Sequence, residues 1–236
     1  MTRRKIVFLA ASLCGAAAGA LATLLAPKKA GRPDLEALLG KGWLAGDTAL
    51  RPYWPLLLAC AAGWVIFSLY WEAAARNAAT AKSSESRASR GLHVLLANVA
   101  LLLEMPVRGL GRFMPPSALV MAAGVAVEAM GLLVAIWARR HLGRNWSGEI
   151  AIKVEHQLIR SGPYRRLRHP IYTGLLAMYA GPALVTGEWL ALIGVALAGL
   201  AYWRKIRLEE ANLETAFGGD YEVYRRETWV LVPGVF

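Results

Sequence analysis

The chain has 236 residues, of which 56% are hydrophobic, and it carries a formal net charge of +11. An apolar content this high, arranged in long uncharged runs, excludes an ordinary soluble domain and predicts an all-α, polytopic integral membrane bundle. The basic residues flank the apolar runs, as in membrane proteins that follow the positive-inside rule, which argues against a nucleic-acid partner.

The first predicted span covers residues 6–25, which carry no charge and could cross a hydrocarbon core of roughly 30 Å. Three basic residues precede it, so a cleaved secretory signal is the alternative. We favour a retained span, because the run is longer than a signal core and Gly15 and Gly19 have the small-x-x-x-small spacing of packed membrane helices. The two cysteines, Cys14 and Cys60, lie inside predicted spans and support neither a disulfide framework nor a metal site.

The next predicted elements are an outer loop with an interfacial helix at 26–53, a second span at 54–74 and a solvated loop at 75–90. The third apolar run, 92–103, is short. It either spans the membrane with Pro106 at its exit or re-enters on the same side, and we favour the span.

The fourth predicted span, 119–138, carries Glu128 near its middle. A carboxyl group at that depth is costly, so its side chain should face the bundle interior. Two roles fit this position: a structural hydrogen bond between helices, or a direct role with a substrate.

A basic loop at 139–168 precedes the fifth predicted span, which begins at Pro170 and runs to about residue 186. A tight turn at Gly187 leads into the sixth span, 189–203. With both termini in the cytoplasm, 20 of the 27 Lys and Arg residues fall on the cytoplasmic side of this six-span arrangement, which places the basic loop there.

The polar tail after the sixth span predicts a helix over 205–217 that stops at Gly218, followed by a short helix capped by Asp220. One stripe of the first helix contains Ile206, Glu210, Leu213 and Phe217. Glu210 should therefore face inward, with Glu209 beside it.

The segment 161–172 is basic and aromatic, and it should meet Glu210 on the cytoplasmic face. The set consists of Tyr164, Arg165, Arg166, Arg168, His169, Tyr172 and Glu210. Cations and helix-start N–H groups hold an anion, a carboxylate holds an ammonium or ribose hydroxyls, and tyrosine faces accept a soft cation. This suits a zwitterionic cofactor with a sulfonium centre. Simpler interpretations are that His169 caps a helix, that the arginines only set topology, and that Tyr221 and Tyr224 only pack.

Three patterns then occur in order over about the last hundred residues. They are Gly162-Pro163-Tyr164, then Arg168-His169-Pro170-x-Tyr172-x-Gly174, then Glu209-Glu210-x-x-Leu213-x-x-x-Phe217-Gly218-x-x-Tyr221-x-x-Tyr224, with Pro233 near the end. This half resembles the isoprenylcysteine carboxyl methyltransferase family, in a bacterial-type member, and the related phospholipid methyltransferases. The resemblance implies an enzyme of the bacterial inner membrane that uses S-adenosylmethionine, with its catalytic face in the cytoplasm and a lipophilic or lipid substrate entering from the bilayer.

The resemblance also implies site residues. Those implied to contact the cofactor are His156, Leu158, Gly162, Pro163, Tyr164, Arg168, His169, Tyr172, Glu209 and Glu210. Residues 1–138 would form the substrate side, and 139–236 the catalytic half, with a cofactor loop, the helical hairpin 170–203 and the cytoplasmic tail 204–236. No set of His, Asp and Glu has metal-ligand spacing, and the oligomeric state stays open.

On the acceptor side the sequence departs from the family pattern. Many members have an arginine shortly before a Trp-Ala pair, and here Ala135 takes that place. The substitutes on offer are Arg139, Arg140 and Arg144. A carboxylate or thiolate acceptor needs no general base, whereas a protonated amine does, and the bases on offer are Glu104, Glu128 and His141. Our catalytic candidates are therefore Arg144, Glu128 and His141, with the acceptor open between carboxylate, amine and thiol.

Two other classes compete with a methyltransferase. Sterol reductases bind a nicotinamide cofactor in a related membrane core, but they have more spans than this chain can hold. A non-catalytic membrane scaffold or transporter is the other alternative. A transporter predicts polar residues along several spans and internal repeats, and the sequence shows neither.

Overall fold

The computed structural model describes residues 49–76, 81–84, 86–105, 110–146, 151–153 and 157–235. In these ranges the chain is helical apart from one short strand pair, so the predicted all-α bundle is confirmed. The helices are α1 (Trp54–Ala75), α2 (Arg87–Leu103), α3 (Ala118–Leu142), α4 (Pro170–Thr186), α5 (Trp189–Phe217) and α6 (Gly219–Glu227). The strands β1 (Ala81–Ser84) and β2 (Ala151–Lys153) pair antiparallel.

Three of the described helices, α1, α3 and α5, are long and apolar enough to cross a membrane. Helices α2 and α4 have 17 residues each. The six-span count stays a prediction, because the first predicted span, most of the loop 26–53 and Pro106 lie outside the described residues. Large apolar side chains such as Leu69, Leu119 and Leu200 are exposed, as expected for a surface that faces lipid.

Helices α3 and α4 form the closest pair in the bundle. A Cβ atom on Gly124 would lie 2.7 Å from the Gly181 carbonyl oxygen, and one on Gly131 would lie 2.5 Å from the Gly174 carbonyl oxygen. Glycine at these positions lets the two backbones touch, which is how membrane helices gain packing energy without a hydrophobic driving force. The fixed pair brings the end of α3 beside the start of α4.

The remaining helices pack on this pair and on each other. Helix α2 lies on α5, where a Cβ on Gly194 would be 2.7 Å from the Ala100 carbonyl oxygen. Helix α1 lies on α3 and α4. Trp64 of α1 packs edge-on against Tyr179 of α4, with 4.9 Å between ring centroids.

Several predicted boundaries differ from the structure. The tail helix does not begin anew at residue 205, because α5 continues unbroken from the membrane to Phe217, with neither Gly nor Pro between Trp203 and Phe217 to end it. Asp220 is not the cap of α6: Gly218 occupies that position. Residues 75–90, predicted as solvated loop, contain β1 and the start of α2, and α3 extends four residues past its predicted end. The turn at Gly187 is as predicted, with φ +64°.

Candidate active site

The C-terminal residues run alongside the basic and aromatic segment. The backbone N–H of Arg168 donates to the Trp229 carbonyl at 2.8 Å, and that of His169 donates to the Val230 carbonyl at 3.1 Å. In return, the Trp229 N–H donates to the Arg166 carbonyl at 2.9 Å. These bonds form a short parallel bridge. We call residues 228–231 the strap, because they hold the backbone of the segment from outside.

The side chain of Arg168 connects three elements. Its Nε donates to Oε1 of Glu210 at 2.8 Å, and its Nη1 donates to the carbonyl oxygens of Arg225, at 2.9 Å, and Thr228. Its side chain is only 9% exposed. A guanidinium suits this place because its planar fork can bond a carboxylate and carbonyls at once. Arg168 therefore fixes α5, α6 and the strap around the segment.

Two adjacent carboxylates of α5 face His169 and Tyr172. Nε2 of His169 lies 3.2 Å from Oε1 of Glu210, and Nδ1 lies 3.7 Å from Oε2 of Glu209. The Tyr172 hydroxyl donates to Oε1 of Glu209 at 2.6 Å. Glu210 lies two turns beyond Trp203, the last apolar residue of the span. Burial opposes its ionisation, but hydrogen bonds from His169 and Arg168 outweigh burial and lower the pKa of Glu210 to about 2.

Aromatic rings stack beside this cluster. The rings of His169 and Tyr172 are stacked with centroids 5.7 Å apart, and Tyr172 stacks on Tyr202 of α5 at 5.1 Å. We did not predict Tyr202. A signal was available: it precedes Glu209 by seven residues, which places both on one face of a continuous helix. The relation exists only because the sixth predicted span and the tail form one continuous helix, which we had predicted as two.

Helix α6 packs against the loop that contains Tyr164. The Tyr224 hydroxyl donates to the Tyr164 carbonyl at 2.7 Å, and burial raises the pKa of Tyr224 to about 12, so the phenol stays neutral. Arg160 lies over the Tyr224 ring, 5.6 Å from its centroid, and Nη2 of Arg160 donates to the Asp220 carbonyl at 2.6 Å. Tyr224 thus packs and also anchors the loop that contains Tyr164. Tyr221 beside it is 1% exposed.

The first residues of the segment rest on the end of α3. Gly162 has φ +57°, and a Cβ on it would lie 2.3 Å from the ring of His141. His141 is oriented by a contact of 3.0 Å between its Nδ1 and the Trp137 carbonyl. Residues 157–160 lie in neither a helix nor a strand, and in the described part of the chain no backbone partner accepts from the N–H groups of 158–161. Pro163 and Tyr164 are buried, and His156 lies outside the described residues.

The structure does not bring all catalytic candidates together. His141 touches the loop of the cofactor candidates. Arg144 lies in an exposed turn after α3, and Glu128 lies against Gly181, nine residues or about 13 Å along α4 from Tyr172. These three residues therefore do not form one cluster.

The proposed substitutes for the missing arginine also separate. Arg139 is 3% exposed and donates to the carbonyls of Gly143, at 2.8 Å, and Ala74, at 2.5 Å, while its guanidinium lies 4.2 Å from the Trp146 ring centroid. Arg140 and Arg144 are exposed. Arg139 is thus used to join α1 to the end of α3, one turn beyond the buried Ala135.

Comparison with known proteins gives consistent matches. Residues 119–220 match the phospholipid methyltransferase family. A protein-S-isoprenylcysteine O-methyltransferase of Schizosaccharomyces pombe is 32% identical over 39% of this chain and 40% of its own length. Methanethiol S-methyltransferase 2 of Bradyrhizobium diazoefficiens is 41% identical over 31% of this chain and 27% of its own length. The chain therefore spans less than half the length of these relatives.

A solved structure shares the fold. It is that of a eukaryotic intramembrane Ras methyltransferase, isoprenylcysteine carboxyl methyltransferase, with a TM-score of 0.53 and 16% sequence identity. The match covers 82% of this chain and 70% of that one. At this identity the likeness supports the membrane fold. Residues 119–220, which match the phospholipid methyltransferase family, contain most of the cluster described above.

Proposed function

We propose that this chain, which belongs to the isoprenylcysteine carboxyl methyltransferase-like family, is a membrane methyltransferase that uses S-adenosylmethionine. Its acceptor is a lipophilic molecule that reaches the site from the bilayer. The observation that carries the proposal is the cluster of Glu209, Glu210, His169 and Tyr172 between the membrane helices and the strap.

The chemistry of this cluster fits the cofactor. S-adenosylmethionine supplies a methyl group on a sulfonium, together with an ammonium, a carboxylate and ribose hydroxyls. Glu209 and Glu210 offer carboxylate oxygens to positive or hydroxyl groups, and the faces of Tyr172 and Tyr202 accept a soft cation. The N–H groups around Leu158 offer donors to acceptor atoms. These are the residues that we propose to hold the cofactor.

The protein contributes positioning and a dry site. Methyl transfer is an in-line displacement, so its rate depends on how well the two reactants are aligned and how well water is excluded. Arg168 fixes the Glu210 carboxylate, Tyr172 fixes that of Glu209, and the strap and α6 cover the cytoplasmic side. These side chains form a preorganised set rather than a mobile one.

The acceptor side is less specified. The two named relatives act on a carboxyl group and on a thiol, so family membership leaves the acceptor atom open. We propose His141 as a positioning residue that sets the cofactor loop against α3, through Gly162. Arg144, in the exposed turn, and Glu128, in the bundle interior, remain proposed catalytic residues on the acceptor side.

The first test is binding of S-adenosylhomocysteine, the product form of the cofactor, by calorimetry on purified protein in detergent. We expect the parent protein to bind, and the His169→Ala and Glu210→Ala variants to bind at least about tenfold more weakly, a loss of about 1.4 kcal/mol. Glu214→Ala is the matched control, because Glu214 lies one turn further along α5 and is exposed. Absence of binding by the parent would refute the proposal. Tight binding of a reduced nicotinamide instead would favour the reductase.

We also propose that the site and both termini face the cytoplasm of a bacterial inner membrane. Support comes from the 20 of 27 Lys and Arg residues that this orientation places there. Reporter fusions at either terminus would check the orientation, and a periplasmic C-terminus would contradict it. Incubating membranes with methyl-labelled cofactor, then separating lipid, protein and volatile products, would identify the acceptor class.

A further inference from the structure

The strap and the residues that follow it leave an apolar face exposed. Trp229 is 45% exposed, Val232 is 48% exposed and Val235 is 73% exposed, whereas Val230 between them is buried. The buried Val230 therefore attaches this part of the chain to the protein, while its neighbours face outward. We call the side chains of Trp229, Val232 and Val235 the strap face. Three exposed apolar side chains within seven residues mark a contact surface.

The strap reaches the first turn of a helix of the bundle. The hydroxyl of Thr173, in the first turn of α4, donates to the Leu231 carbonyl at 2.7 Å. Trp229 lies slightly further out, because it pairs with Leu167, three residues before the helix begins at Pro170. The strap face is thus placed where α4 enters the bundle.

The depth of that first turn follows from the neighbouring helices. A Cβ atom on Gly174 would lie 2.7 Å from the backbone nitrogen of Ala135, so these residues of α4 and α3 lie at one level. Trp137, 49% exposed, lies about 3 Å further along α3 towards the strap. Trp203 of α5 is 37% exposed and follows the residue that stacks on Tyr172. Exposed tryptophans on membrane helices mark the boundary between lipid and water, so the strap lies at the membrane surface.

Two exposed arginines lie beside the strap face. Arg165 and Arg166 belong to the predicted basic and aromatic set, yet both side chains are exposed. The Arg166 carbonyl accepts the Trp229 N–H at 2.9 Å, so these arginines adjoin the apolar face directly. In the ranges that the structure describes, no carboxylate forms an ion pair with Arg165 or Arg166.

The other nearby cations are already compensated. Arg225 of α6 lies 4.0 Å from a carboxylate oxygen of Glu214, and Arg226 lies 2.5 Å from one of Glu222. Uncompensated positive charge is therefore concentrated at Arg165 and Arg166, next to Trp229.

This combination selects the kind of partner. Tryptophan is favoured at the level of the lipid headgroups, and arginine bonds phosphate through its planar fork. Clustered basic residues at this level attract anionic lipids. The bilayer is also the partner that this depth brings into contact with the strap face.

We propose that the strap face, together with Arg165 and Arg166, docks on anionic phospholipids of the leaflet on its own side. This interaction goes beyond the proposed methyl transfer and does not depend on it. The surface combines side chains of the strap with side chains of the segment 161–172. A lipid that contacts both binds the docked strap better than an open one, and so holds the strap in place.

The first test locates Trp229. Emission of the parent protein minus that of Trp229→Phe isolates this residue among nine tryptophans, and phenylalanine keeps a ring at the position. In nanodiscs that contain phosphatidylglycerol, we expect lipids brominated near the headgroup end of the chain to quench this difference signal. Lipids brominated at the chain end and water-soluble acrylamide should quench it less. Quenching by acrylamide without quenching by brominated lipid would place the strap face in water or against a soluble partner, and would overturn the proposal.

The second test measures the preference for anionic lipid through exchange of the Trp229 amide, which bonds the segment. Exchange should slow at least about threefold when phosphatidylglycerol is added to phosphatidylcholine nanodiscs, well below the roughly thirtyfold that two arginines near an anionic surface supply. The double variant Arg165→Gln, Arg166→Gln should lose this lipid effect. The control is Arg225→Gln with Arg226→Gln, which removes the same charge from residues with acidic partners and should retain the effect.

The second test has its own refuting outcomes. Equal exchange of the parent protein in the two lipids would overturn the preference for anionic lipid, and a full lipid effect in the Arg165, Arg166 double variant would overturn the assigned residues. The parent comparison needs no variant, so it stands even if a variant fails to fold. Neither test uses the cofactor. A protein that binds no S-adenosylhomocysteine could still show both effects, so failure of the methyltransferase proposal is distinguishable from failure of this one.

Discussion

Replacing Arg168 by lysine tests whether one guanidinium holds the strap and α6 against the segment 161–172. Lysine keeps the charge but presents one compact ammonium, so it cannot bond Glu210 and the carbonyls of Arg225 and Thr228 together. Hydrogen bonds of charged groups contribute about 1.5–3 kcal/mol each. Loss of two, partly offset by water, should destabilise docking of the strap by about 3 kcal/mol.

The assay is amide hydrogen exchange of the segment 219–235 in detergent. A loss of about 3 kcal/mol raises the population of the open strap roughly a hundredfold, and exchange of the protected Trp229 amide should accelerate to match. Exchange in α3 should not change. The control is Arg165→Lys, because Arg165 lies in the same segment with an exposed side chain. If Arg168→Lys exchanged like this control, Arg168 would not be the residue that retains the strap.

Three further predictions concern the same site. Gly162→Ala should abolish S-adenosylhomocysteine binding, because the residue has φ +57° and its Cβ would meet the His141 ring. The added change His141→Ala should restore part of the affinity. Full affinity in Gly162→Ala alone would contradict the close contact. Tyr172→Phe removes the 2.6 Å hydrogen bond to Glu209 and should weaken calorimetric binding about five- to tenfold without altering exchange of the strap. Because the pKa of Glu210 is lowered, the stability it contributes is present above its unfolded value of about 4.5 and is lost as pH falls towards 2, so the difference in unfolding midpoint between the parent and Glu210→Gln should shrink over that range.

The boundaries of α4 could be predicted because local signals mark both ends. Pro170 suits the first turn of a helix, where a missing N–H costs no hydrogen bond, and Gly187 adopts a positive φ that favours glycine. The position of Glu210 on the inward stripe also followed from periodicity. These features depend on residues close in sequence.

The strap and the burial of Glu104 could not be predicted in the same way. The bridge between Leu167 and Trp229 joins residues far apart in the chain, and no local pattern in the tail sequence specifies that pairing. Glu104 follows a short apolar run and reads as a membrane boundary, whereas the structure buries it against α5. The continuity of α5 was readable, since no helix breaker lies between Trp203 and Phe217, but the change from apolar to charged residues suggested a break.

Because α5 is continuous, a tilt of its membrane part displaces Glu210 at its far end. A 29-residue helix is about 43 Å long, and Glu210 lies about 24 Å along it from Gly194, where the helix is pinned against α2. A tilt of about five degrees at that pivot would move the carboxylate by about 2 Å, enough to break its 2.8 Å bond to Arg168. The orientation of α5 in the bilayer therefore becomes part of the geometry of the proposed site, although the carboxylates themselves lie two turns beyond the predicted span.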